Sequence, residues 1–141
     1  MKNISPNRNL EETEFKYPLL QGVFKNYSEP IRQALIEQSY TIPTPIQEQC
    51  MRPISEGRDV IGIAQTGTGK TAAFSLPLLE RMVANDKHFK TRKPKVLILA
   101  PTRELASQIG ESIEKYGKNL PFRHAVIFGG VGQKPQVNAL R

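Results

Sequence analysis

The stretch "AQTGTGKT", Ala64 to Thr71, decides how this chain is read. Before it stands "DVIGIA", Asp59–Ala64, a short apolar run of the length and composition of a buried strand. After it comes "GKTAAFSLPLLERMVAN", Gly69–Asn85, whose apolar spacing predicts a helix; Pro77 should bend it, because proline lacks the N–H that would bond to Ala73. A glycine-rich turn between a strand and a helix is the setting in which this motif acquires a mechanism. Gly67 and Gly69 open backbone conformations closed to residues with a Cβ. The amides of about Gly67 to Thr71, flanked by Thr66 and Ala72, can then point inward and form a phosphate cradle with the helix N-terminus. Lys70 supplies a charge for the β- and γ-phosphates, and Thr71 a hydroxyl for Mg²⁺. These two are the candidate catalytic residues, and a nucleotide with Mg²⁺ is the implied ligand. A turn without a ligand would explain the glycines but not Lys70 and Thr71 directly behind them. Ala64, where the strict motif has Gly, is a small departure.

Working outward, "KVLILA" (Lys95–Ala100) and "HAVIF" (His124–Phe128) read as further apolar strands. Between them "RELASQIGESIEKYG" reads as a helix with Leu105, Ile109, Ile113 and Tyr116 on one side, and a short helical segment is expected near Gln133. Apolar strands alternating with amphipathic helices predict an α/β fold: a parallel sheet covered by helices on both faces. Ligands in such folds bind at the carboxyl ends of strands. The segments leaving those ends are "AQTGTGKT", "APTRE" and "GGVGQ". The basic run "KHFKTRKPK", Lys87–Lys95, enters a strand from the opposite edge and reads as a solvated loop.

Upstream, "SEPIRQALIEQ" predicts a helix capped by Ser28, with Pro30 in its first turn and Ile31, Ala34 and Leu35 on one face. "TPIQ", Thr44–Gln47, starts another that runs to about Ser55: Thr44 suits the N-cap, Pro45 the first helical position, and Gln47 can reach back to the cap. Gln47 also carries a planar amide able to face the N6 and N7 edge of adenine. Glu would serve the cap as well as Gln, so Gln47→Glu is expected at this level to spare the fold and weaken adenine binding. Residues 1–21 are polar and aperiodic and read as a flexible tail.

The chain has 141 residues, 38% of them hydrophobic, and a formal net charge of +7, which suits a polyanionic partner. A single cysteine, Cys50, excludes an internal disulfide framework and suits a reducing compartment. The N-terminus has no apolar run of signal-peptide type and no segment is long enough to span a membrane, so no membrane partner is expected and the cytoplasm is the default location.

With these segments in place the chain resembles a DEAD-box RNA helicase from about Phe24 to its last residue. "SYTIPTPIQ" is similar to the Q motif, with Ser39 where Gly is usual. "AQTGTGKT" is similar to motif I, "PTRELA" (Pro101–Ala106) to motif Ia, and Gly129-Gly130 to the family's glycine doublet. The resemblance implies that residues 22–141 are the N-terminal portion of a RecA-like domain that binds ATP and Mg²⁺ and couples hydrolysis to local RNA unwinding. It implies adenine contact by Gln47 and base stacking by Phe24, although the family's usual aromatic position falls on Gly22; the alternative for Phe24 is packing beneath the first helix. It implies RNA-backbone contact by Pro101, Thr102, Arg103, Gly129 and Gly130. From the residues alone, Thr102 and Arg103 at a helix start fit an RNA phosphate and a plain capped helix equally. "FGGVGQKPQVNALR" is similar to a bacterial subgroup linked to ribosome assembly, which implies ribosomal or RNA-decay assemblies as partners.

Phosphoryl transfer also needs acids to hold Mg²⁺ and orient water, normally after an apolar strand. Here the second strand runs into Ala100-Pro101 and the third into Gly129-Gly130. The expectation is therefore a fragment that binds nucleotide without completing hydrolysis, with an incomplete sheet whose edges are exposed. A non-catalytic nucleotide-binding module and another phosphate-loop enzyme are the alternatives.

Overall fold

The computed structural model describes residues 19–85 and 93–140. A 3-10 helix, Gly22–Asn26, leads into α1 (Glu29–Glu37), α2 (Pro45–Ser55), α3 (Lys70–Asn85), α4 (Arg103–Gly117) and α5 (Gln133–Ala139). The helices expected from apolar spacing are all present, and Pro77 lies buried inside α3. The expectations for residues 1–18 and for most of the basic run lie outside the described residues. Leu19–Gln21 were read as tail, yet Leu20 is buried in the core and the Gln21 N–H donates to the Thr41 carbonyl at 2.8 Å. One apolar anchor in a polar stretch carries no period, so it leaves no trace in the sequence pattern.

The core is helix on helix. Leu20, Phe24, Tyr27, Ile31, Leu35, Met51, Ala72, Leu76, Leu79 and Tyr116 form one buried cluster, drawn from the 3-10 helix and its flanks and from α1 to α4. Glu80 of α3 clamps the start of α1, accepting from the Ser28 N–H at 3.0 Å and the Ser28 hydroxyl at 2.8 Å. Ser28 thus takes the expected cap position, but its hydroxyl donates across to α3. Beside it, burial and then the Glu80 carboxylate push the Tyr27 phenol well above its ordinary range.

None of the three apolar runs enters this core, and among the described residues they form no strand ladder. Exposure alternates residue by residue along 95–100, whereas in 124–128 the half-buried positions are 125, 126 and 128; each run has one side toward the helices. Gly62 faces Ile46 and Cys50 of α2, and Gly110 of α4 faces Val126. The other side is open: Ile61 is 92% exposed, Ile63 90%, Leu97 81% and Leu99 85%. The expectation of a parallel sheet covered on both faces is therefore corrected for the described residues. Helices cover one side of unpaired extended segments. A parallel strand has no hairpin partner next to it in sequence, so its pairing depends entirely on tertiary neighbours.

Ser39 has φ of 58°, the only positive value at a non-glycine position among the described residues. It is the C′ residue of a Schellman motif that ends α1: Ser39 N–H donates to the Ile36 carbonyl at 2.9 Å and Tyr40 N–H to the Leu35 carbonyl at 2.8 Å. A side chain in that left-handed conformation is strained. Ser39→Gly is expected to raise stability by about 0.5–1 kcal/mol, because relief of about 1–2 kcal/mol of left-handed strain outweighs the about 0.4–1 kcal/mol that glycine's freer unfolded chain costs. Chemical denaturation checks this; an unchanged or lower midpoint would mean that Ser39 carries no strain.

Candidate nucleotide and RNA site

The turn after Ala64 has the backbone that its glycines foretell. Gly67 and Gly69 take φ of 80° and 82°, the region closed to most side chains. The Lys70 ammonium folds back on the mouth of this turn, donating to the carbonyls of Ala64 at 2.5 Å and Gln65 at 2.7 Å. Those carbonyls only place the charge at the turn. Phosphate oxygens would offer it stronger, charge-assisted partners. The Thr68 hydroxyl donates to the Gln65 carbonyl at 2.7 Å and pins the turn's crest. Lys70 and Thr71 open α3, while Ala72 behind them is buried and seats the helix in the core. The donor set fits a polyphosphate: a glycine turn, a helix N-terminus and an ammonium converge on one place. Thr71 stands in the first turn of α3, where its hydroxyl suits Mg²⁺ in such a loop. No group of three acids, histidines or cysteines able to hold a metal occurs among the described residues.

Two side chains, the N-cap Thr44 and Gln47, fasten the start of α2 to this turn. The reciprocal capping box of Thr44 and Gln47 is present, with Thr44 N–H donating to Gln47 Oε1 at 2.9 Å. The same residues reach across. The Thr44 hydroxyl donates to the Thr68 carbonyl at 2.8 Å, and Gln47 Nε2 donates to the Gly69 carbonyl at 3.2 Å. A Cβ on Gly69 would collide with the Gln47 amide, so glycine there serves the close approach as well as the turn. Gln47 is only 4% exposed. Each of its polar atoms keeps one further hydrogen-bonding valence. The cross-links to the loop were not legible in the sequence, because 22 and 24 residues separate the partners. A depression of about 200 Å³ lies nearby, between Pro45, Ile46 and Gln49 of α2 and Ile63, Ala64 and Thr68; neither Gln47 nor Lys70 lines it.

Phe24 is not placed for stacking. Its ring is fully buried in the core, and no face is open to a base. Packing beneath the first helix is the role the structure assigns it. The 3-10 helix that carries it is tied to α2 by the Val23 N–H, which donates to Glu48 at 3.2 Å.

The other expected contacts lie together. Thr102 caps α4, its hydroxyl accepting from Leu105 N–H at 3.2 Å. Arg103 follows, its guanidinium 5.9 Å from the centre of the Phe128 ring and closely against Gly130. A cation over an aromatic face is held in direction while its donors stay free. Pro101, Thr102, Arg103, Gly129 and Gly130 are all exposed. One residue here escaped the sequence reading. Gln136 of α5 bonds both backbone groups of Phe128, and an isolated Gln in a short polar helix carries no periodic signal.

The family model for the DEAD/DEAH box helicase matches residues 44–141. An ATP-dependent RNA helicase DeaD of Klebsiella pneumoniae is 46% identical over 113 residues, covering 79% of this chain and 17% of the relative. An ATP-dependent rRNA helicase rrp3 of Aspergillus terreus is 46% identical over 108 residues, covering 77% of this chain and 23% of the relative. The chain thus spans about a fifth of the length of these curated relatives. Among solved structures, the RNA helicase Prp28 from Chaetomium thermophilum bound to ADP aligns with a TM-score of 0.72 at 36% identity, over 98% of this chain and 31% of that one. A DEAD box protein from Methanococcus jannaschii aligns with a TM-score of 0.67 at 32% identity, over 82% of this chain and 31% of that one. With the family model covering more than half of its length, this chain belongs to the DEAD/DEAH box helicase family.

Proposed function

We propose that this chain is the ATP-binding portion of an ATP-dependent RNA helicase. The observation that carries the reading is the convergence of Lys70, the Gly67–Gly69 turn and the start of α2 on one place, bonded to one another across 22 residues. Gln47 faces adenine, the loop Thr66–Ala72 holds the phosphates, Lys70 neutralises their charge, and the Thr71 hydroxyl is a ligand for Mg²⁺. Bound ATP with Mg²⁺ supplies the phosphoryl group whose hydrolysis drives the cycle. The edge formed by Pro101, Thr102, Arg103, Gly129 and Gly130 holds RNA through its phosphates, with little sequence preference. The finer fold follows from the same reading: 59–64, 95–100 and 124–128 are strands of a RecA-like parallel sheet, and their open side-chain faces are the sides on which a second layer of helices packs. A cytoplasmic setting agrees with the free, buried Cys50. No helix among the described residues is long and apolar enough to cross a membrane. Ribosomal or RNA-decay assemblies are the partners in keeping with an RNA helicase of this kind.

Lys70→Ala tests the reading. ATP affinity of this chain, measured with Mg²⁺ by titration of a fluorescent nucleotide, should fall about 10- to 100-fold, the range for a lost hydrogen bond to a charged group. Phosphate release stimulated by single-stranded RNA should stay at background for both versions, since neither the second nor the third apolar run ends in an acid. Unchanged affinity in Lys70→Ala would remove the phosphate loop from the proposal.

A further inference from the structure

The edge proposed for RNA has a further support, away from the glycine turn of Gly67 and Gly69. Helix α5, Gln133–Ala139, buries no residue. Gln136 alone in it is half-buried. Its amide meets Phe128 with both groups. Phe128 N–H donates to Gln136 Oε1 at 2.9 Å, and Gln136 Nε2 donates to the Phe128 carbonyl at 3.2 Å. A residue whose N–H and C=O are both met by one partner is in the situation of a hydrogen-bonded pair in an antiparallel ladder. Phe128 has no strand neighbour among the described residues, so the side-chain amide takes that place. The Phe128 ring lies under the Arg103 guanidinium, and the backbone beyond it turns directly into Gly129 and Gly130, the latter closely against the same guanidinium.

We infer that Gln136 is a positioning residue for RNA binding: by clamping the Phe128 backbone it fixes the ring that aims Arg103 and the glycine turn beside it. The inference rests on the reading of this edge as an RNA-phosphate site. The clamp needs a donor and an acceptor on one planar group. An amide has both, a carboxylate has two acceptors, and a protonated carboxyl again has both. Gln136→Glu therefore keeps an acceptor for the Phe128 N–H and replaces the donor to the Phe128 carbonyl by a second acceptor.

The test uses the full chain, a labelled single-stranded oligouridine and a fluorescent ATP analogue, with every variant read as a ratio to wild type at the same pH. Arg103→Ala sets the scale for losing the phosphate contact itself. Gln136→Ala and Gln136→Glu should each weaken RNA binding about five- to tenfold at pH 8, the effect of about one net hydrogen bond. ATP affinity should not change. Amide exchange at Phe128 should be faster in Gln136→Ala than in wild type. If Arg103→Ala weakens RNA binding but the Gln136 variants bind as wild type, the positioning role is wrong and the RNA edge stands. If wild type binds no RNA, or Arg103→Ala changes nothing, the reading of the edge fails and takes Gln136 with it. Loss of ATP affinity in parallel with RNA would make Gln136 a general structural residue and overturn the inference.

Discussion

Phe24→Ala is expected to destabilise this protein by about 3–5 kcal/mol, the usual cost of deleting a buried aromatic ring. Phe24 lies at the centre of the cluster with no exposed surface, among Leu20, Ile31, Leu35 and Met51. Alanine would leave a cavity that the 3-10 helix can close only by shifting its anchor on α2 through Val23 and Glu48. A loss of that size is a large part of the total stability of an ordinary domain, so the variant should melt far below wild type. ATP affinity of the folded fraction should change little. Thermal melts and nucleotide titrations on the same samples separate the two roles once open for this residue. A variant with wild-type stability and weakened ATP binding would restore base stacking and remove Phe24 from the core.

Gln47→Glu is the second change with a large expected effect, and its reading shifts between the two levels of description. By local rules the exchange is mild, since a carboxylate accepts from the Thr44 N–H as well as an amide does. The fold makes it costly. Gln47 Nε2 donates to the Gly69 carbonyl, and a carboxylate there would turn an acceptor toward an acceptor in a site that is 4% exposed. An unsatisfied buried polar group of this kind costs about 1–3 kcal/mol. Gln47→Glu should therefore lower the melting temperature by several degrees and weaken both ATP and GTP, because the loop loses one of its two ties to α2. If Gln47 also faces adenine, ATP should suffer more than GTP. Adenine shows a donor beside an acceptor on its N6–N7 edge, which one amide complements, whereas guanine shows two acceptors. Titration of both nucleotides gives the answer. Equal losses would confine Gln47 to holding the loop, and unchanged melting would mean that the bond to Gly69 does not form in solution.

Segments of regular period were legible in the sequence. The apolar faces of α1 and α4, the box at the start of α2 and the glycine turn before α3 are local matters. They depend on residues three or four apart, or on a backbone conformation that one residue permits. For that reason Ile31, Ala34 and Leu35 were found on one buried face, and Gly67 and Gly69 at positive φ. Ser39 is an instructive case. The position where Gly is usual in the family takes left-handed backbone here despite its side chain, because the end of α1 sets that geometry whichever residue occupies it.

Contacts between distant residues were decided only by the tertiary structure. Pattern alone offered Phe24 two roles and the fold chose the core, since the burial of a single ring depends on which helices close over it. Pattern also promised covered strands, but a strand's pairing and its second covered face belong to its neighbours in space. Gln136 was silent in the sequence and speaks only through the Phe128 backbone. The sequence by itself determined the helices, the glycine turn before α3 and the family motifs, because short-range sterics and spacing specify them. The tertiary structure decided the seating of Leu20 and Phe24, the bonds from Thr44 and Gln47 to the loop, and the amide clamp on Phe128, because a hydrogen bond or a packed ring between distant residues exists only once the chain has brought them within reach.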